Sequence, residues 1–224
     1  MFSTTWQTSP RQHGVVRDRH VGITTSEGVR LDADVFRPDA EGRFPVILSL
    51  APYPVDDEVA PISPGPMRYP NAHIESGDPH FFVRRGYVHV IGNLPGTGAS
   101  EGWFDHMGPH TIRAVYDAIA WCAEQPWSDG NVGMFGMSYY GMIQPLVAML
   151  EPPALKALFC PFAVTDQYRD TYYKGGIFGY AFIKGWSVAL RRARVRATFA
   201  ESVGEERFAE LVEAAKRDPE IAQV

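Results

Sequence analysis

The segment Asn131-Val-Gly-Met-Phe-Gly-Met-Ser-Tyr-Tyr-Gly141 gives the strongest indication of how this chain of 224 residues folds. Its apolar start, Val132 to Phe135, predicts a buried strand, and the apolar run from Met142 to Leu150 predicts a helix. A strand, a tight turn and a helix in direct succession can present a serine above the end of a sheet. Ser138 is therefore the candidate catalytic nucleophile.

Small residues flank Ser138, as a sharp turn requires. Gly136 lies two residues before it and Gly141 three residues after it, whereas the common pattern G-x-S-x-G would place the second glycine at Tyr140. Taken alone, this short pattern favours a glycine turn with an incidental serine. The rest of the chain has to decide between the two interpretations.

The other segments predict alternating strands and helices. A long loop rich in proline and glycine follows the third strand and reaches about Gly77, at the sheet end where ligands of open α/β sheets bind. The order β-β-β-α-β-α-β-α-β predicts an α/β-hydrolase fold, a mostly parallel sheet with helices on both faces. The predicted strands are 19–25, 29–37, 44–50, 87–92, 132–135 and 155–160, and the predicted helices are 79–85, 111–124, 142–150 and 188–217.

With the elbow motif and the order of elements taken together, the chain resembles the CocE/NonD family of serine hydrolases. This family includes relatives of bacterial cocaine esterase and of X-prolyl dipeptidyl aminopeptidases. Residues 127–141 match the family's elbow, G-x-S-Y-x-G after a D-G-x-V-G strand entry, so the displaced glycine agrees with the family. The likeness covers most of residues 20–190. It recurs at Ala51-Pro-Tyr53, Gly96-Thr-Gly-Ala-Ser-Glu-Gly102 and Tyr168-Arg-Asp-Thr-Tyr-Tyr-Lys-Gly-Gly176.

The resemblance implies acyl transfer to water, with Ser138 attacking an ester or amide carbonyl, X-Pro peptides included. It assigns the oxyanion hole to the Tyr53 hydroxyl and the Tyr139 backbone N–H. It also places a helical cap over the serine, with Tyr172 and Tyr173 among the aromatic residues of the substrate pocket. The expected organisation is a flexible lead-in at 1–19, a core at 20–163 without its last strands, and the beginning of a cap at 164–224.

The acid and the histidine of a serine triad come after the nucleophile in α/β-hydrolases. No histidine follows Ser138 in these 224 residues. His89 is interpreted as a packed strand residue, and His106 and His110 as loop and helix-start residues. Three explanations stay open: an N-terminal fragment of a longer hydrolase, which is favoured, a chain completed by a second polypeptide, or a hydrolase-like module that has lost catalysis and serves in binding. Missing strands would leave a parallel edge exposed, so self-association or a second chain completing the sheet is expected.

Composition excludes several other functions. A net charge of -5 gives no basic footprint for nucleic acid. No apolar run is long enough to cross a membrane, and no signal peptide is recognised, so a cytoplasmic protein is expected. Cys122 and Cys160 are expected to be buried free thiols, and no metal or cofactor is expected. The glycine-rich segment at 96–102 lacks the spacing of a nucleotide-binding loop. The expected partner, a small ester or amide substrate, is what the family resemblance implies.

Overall fold

The computed structural model describes residues 8–53 and 74–187, together with a few positions between 206 and 217. Its helices are α1 (Pro79–Val83), α2 (Pro109–Glu124) and α3 (Tyr139–Ala148). They alternate with six strands in the predicted order, which confirms the α/β-hydrolase fold. The strands are β1 (Val15–Thr24), β2 (Arg30–Pro38), β3 (Phe44–Ala51), β4 (Val88–Asn93), β5 (Ser128–Phe135) and β6 (Leu155–Phe159).

The six strands form one sheet in the order β1-β2-β4-β3-β5-β6. The β1–β2 hairpin and the β2–β4 pair are antiparallel, and the β4–β3, β3–β5 and β5–β6 pairs are parallel. Because β3, β4, β5 and β6 run in the same direction, their carboxyl ends lie at one edge of the sheet. The segments that follow β3 and β5 therefore meet there, and these segments carry Tyr53 and Ser138.

Helices cover both faces of the sheet, and the alternation of side chains along the strands explains why. Val35 and Val90 belong to the large core that includes residues of α2 and α3. The next residue on each strand, Phe36 and Ile91, packs with Val83 of α1 on the opposite face. Asp78 caps α1, since its carboxylate accepts a hydrogen bond from the His80 N–H at 2.9 Å.

The first strand begins earlier than the sequence predicted, at Val15 instead of Arg19. It therefore crosses the predicted boundary at residue 20 between lead-in and core. In the sequence, its charged residues are typical of a loop, but in the structure they form ion pairs across the β1–β2 hairpin. Arg17 donates to the buried Asp34 carboxylate through Nε at 2.7 Å, and Arg37 donates to Asp18 at 2.7 Å. The ion pairs supply the partners that a polar strand needs.

After β6 the described chain contains only short elements. A π-helical turn (Tyr168–Tyr172) leads into a two-stranded sheet of β7 (Tyr173–Lys174) and β8 (Ile177–Phe178), and residues 180–187 are helical. The predicted helix at 188–217 lies almost entirely outside the described residues, and the division between core and cap stays a prediction. None of the described helices combines the length and the apolar character needed to cross a bilayer.

Both cysteines are free thiols, as predicted. Cys122 is buried in α2, where burial raises the pKa of its thiol well above the usual value. Cys160 is only partly buried, because it follows the exposed strand β6.

Candidate active site

The candidate nucleophile occupies the turn between β5 and α3. Ser138 has φ 55° and ψ -124°, a backbone conformation that non-glycine residues rarely adopt. Such strain persists only where the surrounding structure enforces it, and it concentrates at functional sites. The sequence correctly placed Ser138 in a tight strand-to-helix turn.

Steric constraints explain why positions 136 and 141, on either side of Ser138, are glycines. Gly136 has φ 148°, and a Cβ atom there would lie 2.3 Å from the Cβ of Tyr140. A Cβ atom on Gly141 would lie 2.8 Å from the carbonyl oxygen of Pro161. The close approach of the chain after β6 thus explains why the second glycine comes three residues after the serine.

Backbone hydrogen bonds from three directions hold the turn. The Gly136 N–H donates to the Phe159 carbonyl at 3.1 Å, and the Ser138 N–H donates to the Pro161 carbonyl at 3.2 Å. The Met137 N–H donates to the carbonyl of Glu75 at 2.9 Å. The turn is therefore bonded to the end of β6, to the segment that follows β6 and to the segment before α1.

Tyr53 reaches the serine from the end of β3. The Asn93 side-chain amide donates to the Tyr53 carbonyl at 2.6 Å and fixes its backbone. The Tyr53 hydroxyl is hydrogen-bonded to the Ser138 side chain, and the indole N–H of Trp186 donates to it at 3.3 Å. Burial raises the pKa of Tyr53 to about 12, and the nearby Glu75 adds to the shift. The phenol thus keeps its proton near neutral pH and can donate it.

Tyr139 begins α3, so its backbone N–H belongs to the first helical turn, whose amides have no acceptor within the helix. Its side chain has a different task, because the ring is fully buried. The Tyr139 hydroxyl accepts a hydrogen bond from the Met107 N–H at 3.1 Å, and burial raises the pKa of this phenol. The side chain anchors the start of the helix while the amide next to Ser138 stays at the sheet end.

Glu75 is a site residue that sequence reasoning missed. It lies in a single 3-10 turn (Ile74–Ser76), and its carboxyl group is hydrogen-bonded to the Ser138 side chain. Burial raises the pKa of this carboxyl to about 7, and the hydrogen bond from Ser138 opposes the shift. The only signal in the sequence was its position in the long segment between β3 and α1, which follows the active end of a strand.

His106 also joins the site, although the sequence suggested an ordinary loop histidine. Its ring lies 5.5 Å from the Tyr139 ring and 5.0 Å from the Trp186 ring, and its Nε2 is hydrogen-bonded to the Tyr172 hydroxyl. Burial lowers the pKa of His106, with Asp105 opposing the shift. A neutral imidazole therefore forms part of an aromatic wall beside the elbow.

The structure separates the two predicted pocket tyrosines. Tyr172 contacts His106, whose ring packs on Tyr139, and so lies beside the elbow. The rings that Tyr173 contacts are those of Tyr168, in the π-helical turn, and of Phe178, in β8 of the short sheet that follows. That both residues line the substrate pocket stays a prediction. Of the two, Tyr172 lies beside the elbow and Tyr173 does not.

Two further histidines are occupied elsewhere. The buried ring of His89 is hydrogen-bonded through Nε2 to the Ser49 hydroxyl at 3.0 Å, and burial lowers the pKa of His89 to about 3. His110 contacts Glu27 through Nδ1 at 2.6 Å and stacks on Trp103. Both accord with the structural interpretations made from the sequence.

Comparison with known proteins places these residues in a wider context. The sequence profile of the X-Pro dipeptidyl-peptidase (S15 family) matches residues 27–222. The chain is 37% identical over 174 residues to a cocaine esterase of Rhodococcus sp. (strain MB1 Bresler), a match that covers 76% of this chain. It is 29% identical over 172 residues to a putative Xaa-Pro dipeptidyl-peptidase of Bacillus anthracis, which covers 66% of this chain.

Among solved structures, the chain is similar to a CocE/NonD family hydrolase from Staphylococcus aureus, with a TM-score of 0.74, 30% sequence identity and 82% of this chain covered. All these matches span a minor part of the other protein. The match covers 28% of the Rhodococcus and the Bacillus protein and 34% of the staphylococcal chain.

Proposed function

Since the chain belongs to the X-Pro dipeptidyl-peptidase (S15) family of hydrolases, we propose that it carries the nucleophile and oxyanion hole of a serine hydrolase acting on esters or amides. The observation that carries the proposal is the strained backbone of Ser138 at the sheet end, with the protonated Tyr53 hydroxyl hydrogen-bonded to its side chain. A serine in an ordinary glycine turn needs neither feature.

In the proposed reaction, the Ser138 oxygen attacks the carbonyl carbon of the substrate. The resulting oxyanion accepts hydrogen bonds from the Tyr53 hydroxyl and the Tyr139 N–H. Donors already fixed where the charge develops are usually the largest source of rate enhancement in acyl transfer. Asn93 on the Tyr53 backbone, and Met107 on the Tyr139 hydroxyl, supply this fixed geometry.

The names of the relatives indicate two broad classes of substrate. The proteins similar to this chain carry the names cocaine esterase and putative Xaa-Pro dipeptidyl-peptidase. We therefore propose acyl esters and X-Pro amides as the two classes to test. The partly buried rings of His106, Tyr172 and Trp186 support an apolar acyl pocket beside Ser138.

Strand β6 supports the expectation that more polypeptide completes the sheet. Among the described strands its one neighbour is β5, and Lys156 to Phe159 are exposed. Leu158 and Phe159 present apolar side chains at this edge, with 39% and 55% of their surface accessible. We predict that this edge is covered by further polypeptide of the same protein, by a second copy or by another protein.

The experiment is intact-mass analysis of the folded protein after treatment with a fluorophosphonate, which phosphonylates activated serines. We expect one adduct in the wild-type protein and none in Ser138→Ala. Release of product from p-nitrophenyl esters and from X-Pro p-nitroanilides then separates the two substrate classes. An adduct that persists in Ser138→Ala would refute Ser138 as the nucleophile. No adduct on the folded wild type would refute activity of this chain alone and leave a fragment that lacks its base or a silent, hydrolase-like module.

A further inference from the structure

Gln144 is a buried polar residue of α3 that the proposed reaction does not use. Its side chain is fully buried, and Ile143 and Val147 close to it in the helix are apolar residues of the large core. A glutamine at such a position destabilises the fold unless its amide is hydrogen-bonded, since the buried polar group has lost its contacts with water. The reason for a polar side chain here must therefore lie in its hydrogen bonds.

The side-chain amide of Gln144 donates to carbonyl groups of two different elements. Its Nε2 lies 2.9 Å from the Tyr140 carbonyl oxygen in α3 and 3.1 Å from the Phe159 carbonyl oxygen at the end of β6. An amide nitrogen has two hydrogens, so these two bonds use its full capacity. The Gly136 carbonyl oxygen, in the elbow itself, lies 3.5 Å from the same nitrogen. Gln144 thus joins the helix, strand β6 and the elbow at one atom.

The Phe159 carbonyl that Gln144 binds also holds the start of the elbow, since it accepts the Gly136 N–H at 3.1 Å. Two residues further along the chain, the Pro161 carbonyl accepts the Ser138 N–H at 3.2 Å. The segment from Phe159 to Pro161 therefore sets the position of the backbone at Gly136 and Ser138. Gln144 ties that segment to α3 at its first carbonyl.

Backbone hydrogen bonds alone hold the first turns of α3 less firmly than those of a regular helix. Pro145 lies inside the helix and lacks the N–H that would bond to the Gly141 carbonyl. The bond from the Gln144 side chain to the carbonyl of Tyr140, the adjacent residue, strengthens the same turn. This turn carries the Tyr139 N–H, so its position determines where the proposed oxyanion donor points.

The strand that leads into the elbow has an anchor of its own. The Ser49 hydroxyl of β3 donates to the carbonyl of Phe135, the last residue of β5, at 2.8 Å. Ser49 is buried, as Gln144 is. Ser49 thus holds the strand before the elbow and Gln144 holds the helix after it, so the turn that carries Ser138 is fixed between two buried side chains.

Gln144 also carries a penalty that a purely structural residue would avoid. Its Oε1 is buried and has no hydrogen-bond partner in the described part of the chain. An unpaired buried oxygen destabilises the folded protein, and a methionine of nearly the same size would remove this penalty. The amide is therefore explained by what its two N–H groups hold in place.

We propose that Gln144 is a positioning residue that fixes the Ser138 hydroxyl and the Tyr139 N–H in the geometry needed for attack. This rests on the proposed function and adds to it a residue that acts without touching the substrate. Gln144 acts through the Phe159 carbonyl, which holds the start of the elbow, and through the Tyr140 carbonyl, which holds the first turn of α3.

The first measurement is residue-resolved amide hydrogen exchange of the full chain by NMR, which does not depend on activity. Gln144→Met keeps the volume of the side chain and removes its N–H groups. We expect the amide protons of Gly136 and Ser138 to exchange roughly 5-fold faster in this variant, the effect of losing one hydrogen bond, while those of α2 keep their rates. The matched control is Gln125→Met, because the Gln125 amide donates to the Trp121 carbonyl at 2.9 Å at the end of α2.

The second measurement is the fluorophosphonate labelling rate of wild type, Gln144→Met and Gln144→Glu between pH 5 and 9, corrected for the folded fraction found by urea unfolding. We expect Gln144→Met to be labelled on the order of 10- to 100-fold more slowly than wild type, since small displacements of reacting groups lower the rate. An ionised glutamate can only accept hydrogen bonds, whereas a protonated one can donate to one carbonyl. The rate of Gln144→Glu relative to wild type should therefore rise as pH falls, which a loss of packing would not produce.

The outcomes distinguish this proposal from the proposed function. Wild-type exchange rates at Gly136 and Ser138 in Gln144→Met would overturn the role of Gln144, as would an equal rise throughout β5 and α3, which indicates global destabilisation. If wild type is labelled, equal labelling of Gln144→Met would also overturn it and leave Ser138 as the nucleophile. If wild type is not labelled, activity of this chain alone is refuted, and the exchange rates still decide whether Gln144 fixes the elbow.

Discussion

The indole nitrogen of Trp186 lies 3.3 Å from the hydroxyl oxygen of Tyr53, so the helical segment at 180–187 is bonded directly to the proposed oxyanion donor. These residues are 133 positions apart in sequence. The Trp186 ring also packs nearly parallel to the Tyr139 ring, with their centroids 6.1 Å apart. One residue of the segment after the core therefore contacts both tyrosines of the proposed hole.

Replacing Trp186 by Phe should weaken catalysis through Tyr53. Phenylalanine keeps most of the ring contact with Tyr139 but removes the N–H that fixes the Tyr53 hydroxyl. A net hydrogen bond is worth about 1 kcal/mol, so Ser138 labelling should slow roughly 5-fold. The same change in a Tyr53→Phe background should have no further effect, since the bonded partner is already gone. Equal effects in both backgrounds would contradict the role of Trp186 in fixing the Tyr53 hydroxyl. The control is Trp103→Phe, because the Trp103 ring stacks on His110 instead.

Tyr53→Phe tests the oxyanion donor itself. Loss of one such donor typically costs on the order of 100- to 1000-fold in rate. Because the pKa of Tyr53 is raised to about 12, the size of this loss should be the same at pH 6 and pH 9. The measurement is the labelling rate at both pH values, with unfolding in urea to verify that the variant is folded. An unchanged rate would exclude the donor role.

Ser138, Tyr53 and Tyr139 could be found from the sequence because each is fixed by local order along the chain. Ser138 and Tyr139 are consecutive at a strand-to-helix turn, and Tyr53 follows a strand by two residues. A parallel sheet then brings the ends of β3 and β5 together without further information. The roles of these residues came from the family resemblance, since apolar periodicity says nothing about what a hydroxyl does.

Glu75 and His106 could not be found in this way. Both lie in irregular segments, and both reach the site by tertiary contacts: Glu75 through the Met137 N–H and His106 through Tyr172 and Trp186. The path of such a segment has no period in the sequence. The start of β1 was misplaced for a related reason, since Arg17 resembles a loop residue until Asp34 is seen opposite it.

Gly136→Ala should destabilise the fold much more than Gly130→Ala. Both glycines have positive φ, 148° and 88°, so both variants carry backbone strain. An alanine Cβ at 136 would also lie 2.3 Å from Tyr140, whereas at 130 nothing lies within 4 Å. We expect a loss of about 1 kcal/mol in the free energy of unfolding for Gly130→Ala and a further 1–3 kcal/mol for Gly136→Ala. Urea unfolding measures both, and equal losses would contradict the close packing of the elbow.

Glu75→Gln should stabilise the folded protein at pH 8 and leave it nearly unchanged at pH 4.5. Folding raises the pKa of this carboxyl from 4.5 to about 7, so between these values the folded state holds a proton that the unfolded state has lost. The wild-type free energy of unfolding must then fall as pH rises through this window, by on the order of 2–3 kcal/mol, and stay constant above it. Glutamine has no proton to lose, so its curve lacks this fall. Urea unfolding at pH 4.5, 6 and 8 measures the difference, with Glu124→Gln as the exposed control. Parallel curves for wild type and Glu75→Gln would mean that the carboxyl is not buried against Ser138.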